Sequence, residues 1–277
     1  MNSVPRMLVA NARMYSVERT TANAWRALLA WVAAQAEVPL TYVEHPPPAS
    51  LDALWRRPDL GCALMCGYPW ATWSAARGPR PISVGAPVPC EAEGRAAYRT
   101  AIVVRAESTA TSLDDLRGRR FAYTTPHSQS GYQAVRRLLA DRITPQAPRF
   151  FEAVVGPLIA PRRVVHAVVT GEADAGPVDS YWLALLRLHE PATAARLRVV
   201  ARTEWTPLPM FVAAARIEPA THEAVARALL AAGSARELAD LRATLALSGF
   251  VRPDPHAYDV LAERAREADA LGYPALQ

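Results

Sequence analysis

Cysteine is scarce in this sequence, which has 277 residues and only three cysteines, at positions 62, 66 and 90. Three thiols do not make the dense disulfide framework of a small secreted domain. Cys62 and Cys66 fall in the apolar run Leu60–Cys66, which predicts a buried strand. Residues four apart on a strand share a face but lie too far apart for a normal bridge. No histidine lies near them at metal-ligand spacing, so neither a disulfide nor a zinc site is predicted.

Long apolar runs and blocks of positive charge are missing as well. No run reaches the length of a membrane-spanning helix, so we expect no membrane insertion. Residues 1–10 lead directly into a predicted strand and lack the apolar core and cleavage site of a secretory signal. The net charge is +5, but no Lys/Arg block or basic stripe with interleaved aromatic residues is present. This argues against a nucleic-acid partner and favours a small anionic ligand.

The pattern of hydrophobic residues predicts an α/β protein. The composition, 51% hydrophobic and 21% charged, is that of a globular chain with one large or two modest domains. Predicted strands and helices alternate in two sets, before and after about residue 100, which indicates parallel α/β units. The predicted strands are Met7–Met14, Leu40–Glu44, Leu60–Cys66, Ile82–Val84, Tyr98–Arg105, Arg120–Tyr123, Arg149–Val155, Ala173–Val178, Leu197–Thr203 and Leu208–Ala214. Three helices, over 219–232, 235–247 and 255–271, are predicted to close the chain without further strands.

The stretch Phe121–Tyr132 is the most informative part of the chain. It reads as a strand, a polar turn containing Pro126, and the start of a helix at Ser128-Gln129-Ser130-Gly131. A helix start presents unpaired N–H groups and the positive end of the helix dipole. Serine hydroxyls add donors and a glycine allows close approach, so the stretch predicts an anion site for phosphate, phosphonate or carboxylate. The alternative is that Ser128 or Ser130 only caps the helix.

Other candidate residues also follow strand ends. Tyr15, Tyr68 and Asp179 each come after a predicted strand, and ligands of open α/β sheets collect at the carboxyl ends of strands. Tyrosines at such places are often half-buried edge residues. Asp179 is equally well placed to cap the helix predicted at Ser180–Leu188, and both roles are compatible. No nucleophile–base pair is visible, so we predict no catalytic residue and no cofactor.

Five segments, in order, resemble the type 2 periplasmic binding proteins of phosphate, phosphite and phosphonate ABC importers. They are Cys66–Pro69, Tyr98–Arg105, Ser112–Gly118, Ser128–Tyr132 and Gly171–Asp179, and Arg202–Pro207 extends the match. Each segment is weak alone, and the ordered set is more specific for the fold than for the ligand.

The resemblance implies a fold of two α/β lobes joined by hinge strands. Residues 1–100 with 208–277 would form the first lobe and residues 101–207 the second. It also implies a solute-binding protein that is periplasmic and monomeric, captures a small oxyanion and works with an ABC permease. The implied ligand-binding residues are Ser128, Gln129, Ser130 and Gly131 in the turn, Tyr68 and Tyr15 from the first lobe, Tyr98 near the hinge, and Asp179.

One segment departs from the family pattern. Where such proteins usually carry a Gly-Ser-His-type turn, this chain has Gly156–Arg163, and the expected histidine falls at about Pro161. Arg162 or Arg163 could supply positive charge there. This departure and the missing export signal favour one alternative, a cytoplasmic enzyme on the same fold acting on a carboxylate- or phosphate-bearing metabolite. A ligand sensor without a transport role is a third interpretation, which the sequence does not separate from a transporter component.

Overall fold

The structure is a computed structural model that describes residues 7–277. The strands in these residues are β1 (Leu8–Asn11), β2 (Leu40–Tyr42), β3 (Leu60–Met65), β4 (Ile82–Pro89), β5 (Ala97–Tyr98), β6 (Thr100–Arg105), β7 (Arg120–Ala122), β8 (Ala153–Val155), β9 (Ala175–Asp179), β10 (Leu197–Arg202), β11 (Thr206–Pro207), β12 (Met210–Ala213) and β13 (Leu247–Val251). The helices are α1 (Arg19–Ala36), α2 (Leu51–Trp55), α3 (Gly67–Ala71), α4 (Ala134–Ala140), α5 (Pro161–Thr170), α6 (Ser180–His189), α7 (Pro191–Ala195), α8 (Pro219–Ala232), α9 (Ala239–Thr244) and α10 (Asp259–Ala270).

The chain divides into two compact units. The first contains the described residues up to Ala97 together with Pro207–Ala257, and the second contains Tyr98–Thr206 and Tyr258–Gln277. Strands β5 and β11 pair in a two-stranded sheet at the places where the chain passes from one unit to the other. The sequence had assigned all of 208–277 to the first lobe, whereas the structure packs residues 258–277 on the second unit because α10 lies against α4.

The first unit is built on a six-stranded sheet in the order β13-β4-β12-β3-β1-β2. Strands β1, β2 and β3 are parallel, while β12 runs antiparallel to β3 and β4. Helix α1 begins with a capping box formed by Glu18 and Thr21. Its apolar side is buried, and Trp25 packs edge-on against Phe211 of β12 with ring centroids 5.8 Å apart.

The second unit is built on a five-stranded sheet in the order β10-β6-β9-β7-β8. Strands β7, β8 and β9 are parallel, and β6 runs antiparallel to both β9 and β10. Every residue of β9 is buried, which fits a central strand covered on both faces. The core of this unit includes Phe121, which stacks on Phe151 at 4.3 Å, and reaches Tyr273 and Leu276 near the end of the chain.

Two sequence predictions about the closing segments are wrong. Residues 235–247 do not form one helix, since a 3-10 turn at Arg236–Leu238 and the short α9 end before Leu247. Strand β13 then follows and pairs with the second half of β4, a strand that runs to Pro89 rather than ending at Val84. In the described residues, Cys62 and Cys66 are buried, Cys90 is exposed, and none of the three is in a disulfide.

Candidate functional site

Three helical segments of the second unit begin at the same edge of its sheet. Strands β7, β8 and β9 are parallel, so their carboxyl ends meet at one edge. A helical segment at Gln129–Ala140 follows β7, α5 follows β8 and α6 follows β9. Each start carries N–H groups without helical carbonyl partners and the positive end of a helix dipole. The edge therefore presents backbone hydrogen-bond donors without needing a cationic side chain.

The serine turn forms the first of these helix starts. Ser128 is extended, and its Oγ accepts a hydrogen bond from the N–H of Gly131 at 2.9 Å, so the predicted capping role is confirmed. Gln129–Gln133 forms a π-helical turn, in which Gln133 donates its N–H to the carbonyl of Ser128 at 3.0 Å. A π turn inside a helix is common at functional sites because it displaces the neighbouring backbone groups. The Ser128 hydroxyl keeps its own hydrogen for donation.

Ser130 and Asp179 lie on the same side of the sheet and are linked through Thr100. The hydroxyl of Thr100 donates to the carbonyl of Ser130 at 3.1 Å, and Thr100 is paired with Asp179 in the β6–β9 ladder. Asp179 is 6% exposed and its Oδ1 accepts from the N–H of Trp182 at 3.0 Å. The carboxylate therefore caps α6, and the structure brings it to the same sheet edge as the serine turn.

Thr124 is a residue of this site that the sequence analysis did not single out. It follows β7, is 4% exposed, and its hydroxyl oxygen is buried without a hydrogen-bond partner among residues 7–277. Its N–H donates to the carbonyl of Gly131 at 3.3 Å, and its carbonyl accepts from the N–H of Ile159 at 3.0 Å. A buried hydroxyl without a partner is unusual in a folded protein. Thr124 thus joins the serine turn to the loop after β8 and adds an available donor.

Segment Gly156–Arg163, which departs from the family pattern, contributes backbone groups rather than charged side chains to this edge of the sheet. Its loop is held on the end of β7, where the N–H of Leu158 donates to the carbonyl of Tyr123 at 3.0 Å. Pro161 begins α5, and Ala160 in front of it gives no side-chain cap. The guanidinium of Arg162 binds Glu190 at 3.2 Å, and the Arg163 side chain is exposed. Neither arginine fills the place of the expected histidine.

The predicted tyrosines are distributed over both units. Tyr15 lies in a 3-10 turn after β1 and is buried, and Tyr68 lies in α3 after β3 and is half-buried. Because β1 and β3 are parallel neighbours, these two residues of the first unit follow adjacent strand ends. Tyr98 ends β5, is buried, and belongs to the second unit, where its carbonyl accepts from the Thr206 hydroxyl at 3.3 Å.

One titratable group next to the serine turn is the phenol of Tyr123. Tyr123 packs edge-on against Tyr132 at 5.3 Å, and burial, with Tyr132 as the second cause, raises the pKa of the Tyr123 phenol. That phenol is therefore neutral at pH 7. His127 lies in the turn itself but its side chain is exposed. In residues 7–277, no three His, Cys, Asp or Glu side chains cluster so that they could hold a metal ion.

The described part of the chain contains no helix that is long and apolar enough to cross a membrane. No curated protein sequence gives a significant match to this chain.

Several solved structures share the fold. A binding protein component of an ABC phosphonate transporter from Pseudomonas aeruginosa has 16% identity and a TM-score of 0.79, covering 97% of this chain and 88% of its own. PhnD1 from Prochlorococcus marinus, in complex with methylphosphonate, has 16% identity and a TM-score of 0.76, covering 96% and 99%. MatC from Rhodopseudomonas palustris, with bound malate, has 14% identity and a TM-score of 0.58, covering 96% and 99%.

These neighbours confirm the predicted α/β fold of periplasmic-binding-protein type. The family itself is shown by a sequence model that matches residues 14–258, most of the chain. The chain belongs to the family of ABC-transporter phosphonate periplasmic substrate-binding proteins.

Proposed function

We propose that this protein binds a small phosphorus oxyanion, a phosphonate or phosphate, at the serine turn of its second unit and delivers it to an ABC permease. The observation that carries the proposal is the meeting of three helix starts with the hydroxyls of Ser128 and Thr124 at one sheet edge. The Ser130 hydroxyl is proposed to join them. Helix N-termini stabilise anions through N–H donors and the dipole. Hydrogen bonds to a charged partner contribute about 1.5–3 kcal/mol each.

The remaining predicted residues take supporting places in this proposal. Gln129 is buried in the first helical turn, and Gly131 allows its backbone to lie against the Thr124 hydroxyl. Asp179 is assigned to a protonated oxygen or an amine of the ligand, since an ionised carboxylate only accepts hydrogen bonds. Contacts from Tyr15, Tyr68 and Tyr98 remain predictions based on the family resemblance.

Capture is favoured over turnover at this site. In the described residues no histidine or carboxylate is hydrogen-bonded to the hydroxyl of Ser128 or Ser130, and the Ser128 oxygen accepts from a backbone N–H instead. A serine nucleophile needs an adjacent base. We propose that the protein is a monomeric, non-catalytic binding protein that acts in the periplasm, and this reading is preferred to the enzyme and the sensor.

Isothermal calorimetry and thermal unfolding with a panel of ligands test the proposal. The panel contains methylphosphonate, phosphite, phosphate and sulfate, with malate and arginine as carboxylate ligands. We expect saturable one-to-one binding of a phosphorus oxyanion and a stabilisation of about 2.7 kcal/mol at a hundred times Kd. Binding of a carboxylate alone, or turnover of any ligand detected by NMR, contradicts the proposal.

A further inference from the structure

Gln133 joins the serine turn to the body of its helix by two separate bonds. Its side-chain Nε2 donates to the carbonyl of Pro126 at 2.7 Å, and its backbone N–H donates to the carbonyl of Ser128 at 3.0 Å. The side chain is 8% exposed, so these bonds are shielded from water. The two carbonyls that flank His127 are therefore both held by one residue, four positions beyond the first helical residue of the turn.

The other end of the Gln133 amide is bound to a buried arginine. The Oε1 of Gln133 accepts from Nε of Arg136 at 3.0 Å, and Arg136 is 4% exposed. A buried guanidinium is costly unless all its donors are satisfied. Here the remaining N–H groups bind the carboxylate of Asp269 and the carbonyls of Ala265 and Pro274, the latter two at 2.7 and 2.9 Å.

Apart from Gln133, the partners of Arg136 named above belong to the last helix and the tail that follows it. Ala265 and Asp269 lie in α10, and Pro274 lies in the tail. The tail makes a second contact with the turn region, where the N–H of Leu276 donates to the Tyr132 hydroxyl at 3.1 Å. A continuous chain of buried and partly buried hydrogen bonds thus runs from the Pro126 carbonyl through Gln133 and Arg136 to the C-terminal segment 259–277.

We infer that Gln133 and Arg136 are positioning residues that fix the anion-binding turn to the C-terminal segment. Neither side chain is assigned a contact with the ligand, and their effect passes through the backbone of residues 126–131. Breaking these hydrogen bonds lets the backbone of the turn move, so that its N–H groups no longer point at one position. Affinity for an anion falls as a result, because pre-positioned donors bind an anion more tightly than mobile ones. The inference rests on the proposed function for its effect on affinity, but its effect on the turn is independent of any ligand.

Two methionine variants and one matched control test the inference. Gln133→Met has nearly the same shape and removes both side-chain bonds without changing charge. Arg136→Met removes the other half of the chain together with one positive charge. Arg137→Met removes the same charge one position later, where the side chain is partly exposed and binds Asp141 and Glu267. Glu267 also lies in α10, but this ion pair is exposed and makes no bond to Gln133 or the turn, so it is expected to contribute little. Arg137→Met is therefore the control for the loss of one positive charge in Arg136→Met.

Amide hydrogen exchange of the unliganded proteins is the first measurement. In Gln133→Met and Arg136→Met, we expect exchange at Gly131 and Gln133 to rise at least tenfold. Exchange at Val178, in the buried strand β9, reports unfolding of the whole unit and is expected to rise much less. A purely structural role predicts equal increases at all three amides, and that result overturns the inference. Arg137→Met is expected to change the turn amides by less than twofold.

Affinity for methylphosphonate, measured by calorimetry well below the unfolding temperature, is the second readout. We expect Gln133→Met to weaken binding at least fivefold. In the double variant with Arg136→Met, the loss of affinity is expected to be far smaller than the sum of the two single losses, because both substitutions break the same chain of hydrogen bonds. Additive losses, or unchanged affinity with unchanged exchange, overturn the inference. If the wild-type protein binds no oxyanion, the proposed function fails, and the exchange data alone decide the positioning role. If Arg136→Met does not fold, Gln133→Met and Arg136→Lys carry the same comparison.

Discussion

The hydroxyl of Thr124 lies where a side chain on residue 131 would begin. A Cβ built on Gly131 would lie 1.9 Å from Oγ1 of Thr124 and 2.9 Å from Oγ of Ser128. Since real Cβ atoms do not approach other atoms so closely, the glycine is required for these two hydroxyls to meet the helix start. The relationship explains the Ser-x-Ser-Gly pattern by packing as well as by ligand access.

Replacing Gly131 by alanine is expected to destabilise the second unit. The added methyl overpacks a buried site, which typically costs about 1–3 kcal/mol. We expect Thr124→Ala to restore part of this lost stability, because it removes the hydroxyl that meets the new methyl. The rescue is only partial, since the Cβ of residue 124 still lies 2.9 Å from that methyl. Urea unfolding measures both effects. Gly249→Ala is the control, since the nearest atom to its built Cβ is 3.6 Å away, and equal losses in the two alanine variants would contradict the packing argument.

Thr124→Val is expected to change stability and affinity in opposite directions. The substitution keeps the shape and removes a buried hydroxyl without a partner, so the free energy of unfolding of the unliganded protein should stay equal or rise. If the hydroxyl donates to the ligand, methylphosphonate affinity falls about tenfold. Ser83→Ala removes another buried, unpartnered hydroxyl oxygen, in the first unit, and should leave affinity unchanged. Equal affinity in Thr124→Val and wild type would remove Thr124 from the site.

The double variant Ser128→Ala with Ser130→Ala is expected to weaken oxyanion binding at least tenfold. Charge-assisted hydrogen bonds of about 1.5–3 kcal/mol each would be lost. The unfolding temperature should also fall, because Ser128 caps the helix and such caps contribute about 1 kcal/mol. Calorimetry measures the affinity, and the exposed Ser234→Ala serves as the control. An unchanged Kd would refute the assignment of these serines.

The carboxylate of Asp115 makes a pH-dependent contribution to the stability of the second unit. Its carboxylate accepts from the N–H of Thr111 at 2.8 Å and of Ser112 at 2.9 Å, and these bonds lower its pKa to about 2. A carboxyl group with a lowered pKa stabilises the fold above its unfolded-state pKa, and the contribution is lost as pH falls towards 2.

We therefore expect Asp115→Asn to be less stable than wild type at pH 7, with the difference shrinking between about pH 4 and pH 2. Thermal unfolding over this range measures the difference. Asp114→Asn, at the neighbouring exposed carboxylate, is the matched control. A difference that stays constant down to pH 2 would show that the Asp115 carboxylate does not act through its ionised form.

Local signals predicted the elements that carry the site. The hydrophobic run that ends at Asp179, the cap at Ser128 and the helix after it are all found close to the predicted bounds. These features depend on residues within one or two turns of each other. Hydrophobic periodicity and hydrogen bonds between near neighbours specify them, so a single sequence is enough to find them.

The missed features depend on partners far away in the chain. Strand β13 forms by pairing with β4, where Phe250 lies opposite Pro87. These residues are more than a hundred positions apart, so no local sequence pattern predicts the pairing. Thr124 reads as an ordinary residue at the end of a strand until the turn folds back and places Gly131 against its hydroxyl.

The amino-acid sequence by itself determined the α/β alternation, the helix starts at strand ends and the capped serine turn, because short-range sterics, capping and periodicity specify them. Only the tertiary structure decided which unit receives the last helix. The sequence of α10 shows an amphipathic segment that could cover either sheet, and the choice depends on a buried guanidinium. Arg136 needs the carbonyls and carboxylate that α10 and the tail bring to it, and through Gln133 it ties the C-terminal segment to the serine turn.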